Sequence, residues 1–352
     1  MRIALTVGSF NTLGGIERVT VQLARAYRDL GHDITVFATD WDPAVAEGFE
    51  LVRVSAPASP AWLRTLRLHR AIDQATAGRK FDFIHAQGTS AMHMDLLTFH
   101  SVHAAWLEVS AKQGLGLLKR VYPFHRAAIA IERHQVAHHL GLIHACSDEV
   151  REEVIKFYGA DPARVVSIPW GIDPAFFGEP TPHDELTLVL VANEFKRKGL
   201  ATIIDALGLL ADPTLKLVVA GRDDATPYQA QAARLGVRAE FLGHVEVGPV
   251  YRAADLFVMP STYEGWGLVL GEAMAAGLPV VTSHFPGSDA MVEAGVNGLF
   301  VEDPRDPAEL ARAIATALPH RAEWGQAARQ SARRYDWAAV AERLLALREA
   351  RW

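Results

Sequence analysis

Short hydrophobic runs alternate with segments of helical periodicity along the first half of this chain. The apolar run "RIALTV" ends at the loop "GSFNTLGG", and a helical pattern then continues through "IERVTVQLARAYRDLG". Further apolar runs follow at "HDITVFATD", "FDFIHAQ" and "LGLIHACS". The alternation of β-branched runs with helices predicts βαβ units and a buried parallel sheet.

The stretch "IPWGIDPAFFGEPTPHDE" interrupts this alternation with four prolines and two glycines, and we interpret it as a linker between domains. After it, apolar runs again alternate with helical segments. The helix runs through "IIDALGLL", and the apolar runs are "LTLVLVANEF", "LKLVVAG", "AEFLG", "DLFVMPS" and "LPVVTS". The chain is therefore predicted to form two Rossmann-like α/β domains, residues 1–168 and 169–335, that face a central cleft. The C-terminal helix, residues 336–352, is expected to pack back on the first domain.

Single residues mark the expected ends of some helices. Ser147 is a suitable N-cap for the segment "SDEVREEVIKFYG", and Gly159 ends it. Gly277 likewise ends the helical spacing of "LVLGEAMAAG".

Composition agrees with a two-domain globular protein. The chain has 352 residues, of which 50% are hydrophobic and 22% are charged, and this is long for one hydrophobic core. The formal net charge of -6 argues against general nucleic-acid binding, which requires a basic face.

Three features of the sequence favour the cytoplasm. The only cysteine, Cys146, has no partner for an internal disulfide, and this favours a reducing compartment. The start "MRIALTVGSF" is too short and too quickly polar for a signal peptide. No apolar stretch approaches the roughly 20 residues that a membrane-spanning helix requires, so any membrane contact is expected to be peripheral.

Two glutamates, Glu264 and Glu272, flank a turn in the stretch "YEGWGLVLGE". This turn joins the buried run "DLFVMPS" to a helix, and ligands of open α/β sheets bind at such strand ends. Amide groups at the helix start favour anions, and Gly265 and Gly267 permit close backbone approach. The stretch is therefore a candidate site for a bound nucleotide-sugar. The alternative is that both glutamates only complement the helix dipole.

Two further segments lie at predicted strand ends. "FKRKG", residues 195–199, brings three cations beside a glycine and is suited to neutralising a diphosphate, although such runs are often solvated surface. In "GSFNTLGGIER", Gly14 and Gly15 open the first helix and permit approach of a phosphate or an acceptor, or form only a tight turn. No G-x-G-x-x-G is present, so the dinucleotide fingerprint is not met.

Together these segments resemble the retaining glycosyltransferases of family 4, which have the GT-B fold. The likeness spans nearly the whole chain and is most specific in "YEGWGLVLGEAMAAGLPVV", which looks like the donor signature of the family. "GGIERVTVQLARAYRDLGHDITVFAT" looks like the family's opening block. "VANEFKRKGLATIIDAL" and "LLKRVYPFHRAAIAIERHQV" are similar to the lipopolysaccharide core glucosyltransferases. One departure is Asn193, which stands where many members of the family have arginine.

The resemblance implies a role for each candidate residue. Arg197 and Lys198 would hold the donor diphosphate, Glu264 would contact the donor sugar, and Glu272 would contact the ribose. "TFHSVHA" resembles the family's histidine motif and would place His100 beside the anomeric carbon. The other residues that we assign to donor binding are Gly15, Asn193, Arg222, His244, Val245, Gly265, Trp266, Gly267, Leu268 and Val269. The family resemblance implies no metal and no cofactor.

Several histidines and aspartates suggest other chemistry. His134 and His138 are four residues apart on a predicted helix, a spacing that suits zinc, but no H-E-x-x-H accompanies them. Asp40 and Asp42 form a D-x-D pattern that is best explained as loop chemistry before a proline. His85 and His144 lie at or just after strand ends, a position that favours a role in the cleft, and the alternative is that they are ordinary packed histidines.

Residues 112–126, "KQGLGLLKRVYPFHR", mix basic and large apolar side chains. Such a stretch suits peripheral contact with an anionic membrane, or else a helix that packs its apolar face in the core. Both interpretations remain open at the level of the sequence.

The sequence thus predicts transfer of a sugar from a UDP-hexose, such as UDP-glucose, to a saccharide or lipid-linked acceptor, and the family resemblance implies that the transfer is retaining and metal-independent. One alternative is an NAD-dependent oxidoreductase, which the missing fingerprint disfavours. The other is a two-lobed sugar-binding protein, which would carry a signal peptide. The sequence names neither the sugar nor the acceptor.

Overall fold

The structure is a computed structural model that describes residues 1–57, 59–112 and 122–348. It divides into two compact units, one formed by Met1–Gly171 with Asp336–Trp352 and the other by Ile172–Tyr335. The sequence placed the change of domain at residues 168/169, and the structure places it at Gly171/Ile172.

The first unit is built around a parallel sheet with seven described strands in the order β3-β2-β1-β4-β5-β6-β7. Its strands are β1 Arg2–Thr6, β2 Asp33–Ala38, β3 Glu50–Arg53, β4 Phe83–Gln87, β5 Leu96–Phe99, β6 Leu142–Ala145 and β7 Val165–Ser167. Its helices up to this point in the chain are α1 Gly15–Asp29, α2 Pro43–Ala46, α3 Ala61–Thr76, α4 His103–Lys112, α5 Pro123–His138 and α6 Asp148–Tyr158. The strand order reverses between β1 and β4, which is where sheets of this kind bind ligands.

The second unit repeats this design with a sheet of six described strands in the order β10-β9-β8-β11-β12-β13. All its strand pairs are parallel: β8 Leu186–Val191, β9 Leu215–Ala220, β10 Ala239–Gly243, β11 Leu256–Met259, β12 Val280–Ser283 and β13 Gly298–Val301. Its helices are α7 Leu200–Leu210, α8 Thr226–Leu235, α9 Val247–Arg252, α10 Leu268–Ala275, α11 Ser288–Met291, α12 Pro307–Ala317 and α13 Arg321–Ala332. The order reverses between β8 and β11, so the loops after these two strands are neighbours.

The last helix, α14 (Trp337–Ala346), belongs to the first unit and packs against α1. The Trp337 ring stacks on the buried Trp170 ring with centroids 5.7 Å apart. A Cβ at Gly171 would lie 2.6 Å from Cγ of Trp337. Glycine is therefore required where the chain passes beneath this tryptophan.

The ends of α6 confirm the capping prediction. The Ser147 hydroxyl accepts a hydrogen bond from the backbone N–H of Val150 at 3.1 Å. Gly159 ends the helix in the left-handed conformation with φ of +69°, which costs glycine little.

A chain of buried hydrogen bonds crosses the middle strands of the first sheet. The Tyr27 hydroxyl lies 3.1 Å from Nδ1 of His85, and Nε2 of His85 lies 2.7 Å from Oγ1 of Thr98. The same Thr98 oxygen lies 3.0 Å from Nδ1 of His144, whose Nε2 lies 2.8 Å from the Ile168 carbonyl oxygen. His85 and His144 are fully buried. The cleft role that the sequence favoured for them is therefore wrong, and both are packed histidines within the sheet.

Acid is expected to destabilise this unit. Burial lowers the pKa of His144 to about 4, whereas an unfolded histidine titrates near 6.5. The contribution of neutral His144 to the free energy of unfolding is fully present above about pH 6.5 and is lost as the pH falls toward 4. The loss amounts to roughly 3 kcal/mol for His144 alone. His100, with a pKa of about 3, and His103, with a pKa of about 4, act in the same direction.

The measurement is the free energy of unfolding in denaturant at several pH values between 7.5 and 4.5. Glu132 opposes the trend, because burial raises its pKa to about 7 and its neutral form is favoured in the fold. His144→Gln should flatten the pH dependence, whereas exposed His138→Gln should leave it unchanged. A free energy that stays constant from pH 7 to pH 5 would contradict the assignment of buried, neutral histidines.

Within the part of the chain that the structure describes, no helix has both the length and the apolar content needed to cross a membrane.

Candidate functional site

The loops after β8 and β11 are joined at the carboxyl edge of the second sheet. The Thr262 backbone N–H donates to the Arg197 carbonyl oxygen at 3.0 Å. Gly199 begins α7 with φ of +79°, and a Cβ there would lie 2.4 Å from the Pro260 carbonyl oxygen. The glycine of "FKRKG" therefore permits the cationic loop to lie directly against the loop that carries Glu264.

Glu264 is buried at the centre of this arrangement. Its Oε1 accepts from the Arg197 guanidinium, from Nζ of Lys198 at 2.6 Å and from the Ser261 hydroxyl at 2.9 Å. Every contact found for this carboxylate within the described residues is made by Oε1, so Oε2 is left for another partner.

The charges of this cluster depend on one another. Burial raises the pKa of Glu264, but Lys198 and Arg197 outweigh burial and hold it below its usual value. Burial lowers the pKa of Lys198 despite the neighbouring Glu264. Burial also opposes the charge of Arg197, but Glu264 and Glu194 raise its pKa overall. Glu264 is therefore an ionised carboxylate held between two cations.

The turn before α10 has the tight geometry that its glycines predict. Gly267 is the N-cap residue with φ of +79°, and a Cβ there would lie 2.7 Å from Cε2 of Phe285. Trp266 is buried against Gly287, where a Cβ would lie 2.3 Å from the Trp266 carbonyl oxygen. The tryptophan thus anchors the turn, and Gly265 beside it is half-buried. Leu268 and Val269, also assigned to donor binding, are the first two residues of α10.

Glu272 lies in the second turn of α10 and is also buried. The hydroxyl of the fully buried Tyr251 donates to Oε2 of Glu272 at 3.2 Å. Tyr251 comes from α9, so a second helix holds this carboxylate in place.

Four further residues of the predicted donor set follow the first three strands of the second sheet, at the same edge. Asn193 follows β8 and is exposed, and Arg222 follows β9 and is exposed. His244 and Val245 follow β10, where His244 is exposed and Val245 is half-buried. The structure thus brings Arg197, Lys198 and Glu264 into direct contact and places these four residues in loops along the same edge.

In the first unit, Gly14 caps α1 and Gly15 is its first residue, as the sequence predicted. Among the described residues, apart from its chain neighbours and its own helix backbone, a Cβ at Gly15 would meet no atom within 4 Å.

His100 follows β5 at the carboxyl edge of the first sheet and is half-buried. Its Nε2 lies 3.0 Å from Oε1 of Gln87, and its ring stacks on Trp170 with centroids 5.3 Å apart. Burial, reinforced by the nearby His144, lowers the pKa of His100 to about 3. The imidazole is therefore neutral near pH 7.

The residues that suggested metal chemistry have structural roles. Asp42 caps α2 by accepting from the Ala44 N–H at 2.9 Å, and Asp40 accepts from the Ser9 hydroxyl at 3.0 Å. The His134 and His138 rings stack with centroids 4.0 Å apart. Across residues 1–57, 59–112 and 122–348, no group of three or more metal-binding side chains is found.

Most of the stretch proposed for membrane contact, residues 112–126, lies outside the described residues, which resume at residue 122. Its membrane and core interpretations both remain predictions.

Three residues at these sites were not found by sequence reasoning: Gln87, Tyr251 and Ser261. Ser261 could have been found from the sequence, since it stands two positions after the end of β11 and three positions before Glu264. Gln87 and Tyr251 are distant in sequence from the residues that they contact, and only the order of strands and helices brings them there.

Solved structures share this architecture. The crystal structure of WaaG, a glycosyltransferase involved in lipopolysaccharide biosynthesis, matches with a TM-score of 0.84 and 24% identity over 99% of this chain and 100% of its own. Anabaena HepE in complex with UDP-glucose matches with a TM-score of 0.78 and 20% identity over 100% of both chains. The fold is that of the GT-B glycosyltransferases.

Family models and relatives agree with this class. The model "Glycosyltransferase Family 4" matches residues 13–176, and "Glycosyl transferases group 1" matches residues 172–332. The chain is therefore a glycosyltransferase in which a family 4 domain is followed by a group 1 domain. The phosphatidyl-myo-inositol mannosyltransferase of Mycobacterium tuberculosis is 29% identical over 97% of this chain and 94% of its own length. The lipopolysaccharide glucosyltransferase WaaG of Escherichia coli is 25% identical over 97% of both.

Proposed function

We propose that this glycosyltransferase moves a hexose from a UDP-hexose, such as UDP-glucose, to a saccharide or lipid-linked saccharide, with retention and without a metal ion. The observation that carries the proposal is the cluster of Glu264, Arg197 and Lys198 at the carboxyl edge of the second sheet. It combines a carboxylate for a sugar with two cations for a diphosphate where the loops after β8 and β11 meet.

Lys198 and Arg197 stabilise the leaving diphosphate as negative charge builds on it. Lys198 is buried, so its charge acts with little screening by water. The amides at the start of α10 add a partial positive charge at the same edge. These groups supply the electrostatic stabilisation that a divalent cation would otherwise give.

The two glutamates bind different parts of the donor. Oε1 of Glu264 is occupied by protein donors, and Oε2 accepts a hydrogen bond from a sugar hydroxyl. Glu272, oriented by Tyr251, accepts from the ribose. HepE, which shares this fold, has been crystallised with UDP-glucose, and this supports a UDP-linked donor.

The first unit receives the acceptor, and the neutral His100 ring lies beside the reacting carbon. Relatives named for phosphatidyl-myo-inositol and for lipopolysaccharide support an acceptor that carries a lipid. Such an acceptor brings the enzyme to the cytoplasmic face of a membrane as a peripheral protein.

Calorimetry tests the donor and the metal independence together. UDP and UDP-glucose are titrated into the protein in buffer with chelator and in buffer with Mg²⁺. We expect equal affinities in both buffers, because the cations are supplied by the chain. Loss of binding in chelator would contradict metal independence, and absence of binding in both buffers would contradict a uridine nucleotide donor.

A further inference from the structure

The ring of His100 is held by residues of two neighbouring strands. Gln87 is the last residue of β4, His100 follows β5, and these strands pair in parallel. This pairing brings Oε1 of Gln87 to 3.0 Å from Nε2 of His100, while Trp170 stacks on the ring. The stacking fixes the plane of the imidazole, and the hydrogen bond fixes the direction in which Nε2 points.

The amide of Gln87 is buried with half of its hydrogen-bonding capacity unused. Its Nε2 atom has no hydrogen-bond partner among the described residues, and an unpaired buried donor costs stability. A methionine would fill a similar volume without that cost. The contact with His100 is the one polar interaction found for this side chain in the described structure. We therefore attribute the presence of an amide at this position to its hydrogen bond with His100.

This contact determines where the imidazole carries its proton. Burial keeps the ring neutral, so one nitrogen is protonated and the other has a lone pair. The amide oxygen only accepts, so Nε2 of His100 carries the proton and Nδ1 is bare. No hydrogen bond to Nδ1 is found within the described residues.

We propose that Gln87 is a positioning residue that fixes the Nε2–H tautomer of His100, so that Nδ1 accepts a hydrogen bond from a hydroxyl group of the bound saccharide. This inference rests on the proposed function, because it assigns the saccharide to the site of His100. A saccharide hydroxyl suits the site because it donates a hydrogen bond without bringing a charge to a half-buried ring.

The test uses the full-length enzyme with ¹⁵N-labelled histidine. In wild type, NMR of the His100 ring should show one tautomer with the proton on Nε2. In Gln87→Met the ring should populate both tautomers, and turnover should fall about tenfold, as for the loss of one neutral hydrogen bond. The affinity for UDP should stay unchanged, because the cations and the carboxylate proposed to hold UDP, Arg197, Lys198 and Glu272, lie in the other unit.

Gln87→Glu gives a second, independent readout. A carboxylate beside the ring favours imidazolium and raises the pKa of His100. Both nitrogens are then protonated at the lower pH values. The turnover of Gln87→Glu should therefore fall at low pH, whereas the turnover of wild type should not. Gln135→Met is the matched control, since Gln135 is also a buried amide with one unpaired atom. It should lower the melting temperature and leave the His100 tautomer unchanged.

Two outcomes overturn the proposal. One is a Gln87→Met enzyme that keeps a single Nε2–H tautomer, which makes Gln87 a packing residue. The other is a changed tautomer with wild-type turnover, which removes Nδ1 from the reaction. A wild-type enzyme that transfers no sugar from any donor would instead contradict the proposed function, and the NMR would still report the tautomer.

Discussion

Replacing Glu264 by glutamine is expected to lower turnover by about 10²–10³-fold while UDP still binds. Glutamine keeps the size of the side chain and removes its charge. The carboxylate is held in place by the contacts of Oε1, and its negative charge stabilises positive charge that builds on the sugar in the transition state. Glutamine removes this stabilisation. Arg197 and Lys198 lose their shared anion, so the diphosphate should bind as tightly as before or more tightly.

Glu272→Ala should fail in a different way. A hydrogen-bonded charged group contributes about 1.5–3 kcal/mol, so UDP affinity should fall roughly 10- to 100-fold. Turnover at saturating donor should change much less than in Glu264→Gln. Calorimetry with UDP and transfer rates from UDP-glucose, measured on both variants, separate the two roles.

The dipole alternative makes the opposite prediction. If both glutamates only complement the start of α10, each variant loses modest stability and keeps near-normal turnover and UDP affinity. That result would remove Glu264 and Glu272 from the site. The contacts of Glu264 with Arg197, Lys198 and Ser261 make this outcome unexpected.

The sequence predicted the two parallel α/β halves because their strands are short, apolar and separated by helices. It also predicted which loops share an edge. In a parallel sheet all carboxyl ends lie on one side, so "FKRKG" after β8 and "YEGWG" after β11 had to lie there together. The bounds of α6 were also predictable, because Ser147 and Gly159 cap the helix through contacts within one turn of the chain.

The individual partners were not predictable in this way. The contact of Gln87 with His100 depends on β4 pairing with β5, and that of Tyr251 with Glu272 depends on how α9 meets α10. A single sequence specifies neither side-chain direction nor helix contact. For His85 the position near a strand end favoured a cleft role, and only its burial within the sheet shows that it is a packed histidine.

The cation run "FKRKG" allows a sharp test, because its two lysines differ in burial. The Lys198 ammonium is buried 2.6 Å from Oε1 of Glu264, whereas Lys196 is exposed. Lys198→Met should lower turnover by about 10²–10³-fold, since one preorganised charge on the leaving diphosphate is lost, and it should weaken UDP binding. Lys196→Met is the matched control and should leave both unchanged.

Salt distinguishes a built site from a charged surface. Interactions between exposed charges are screened within about 10 Å at 0.1 M ionic strength, and those of a buried charge are screened much less. UDP affinity and single-turnover rate are therefore measured for both variants between 0.05 and 0.5 M salt (roughly a threefold range of screening length). The higher UDP affinity and single-turnover rate of wild type relative to Lys198→Met should persist at high salt, because they come from a buried ammonium. Equal losses in Lys196→Met and Lys198→Met, both abolished by salt, would mean that this run is only a solvated surface.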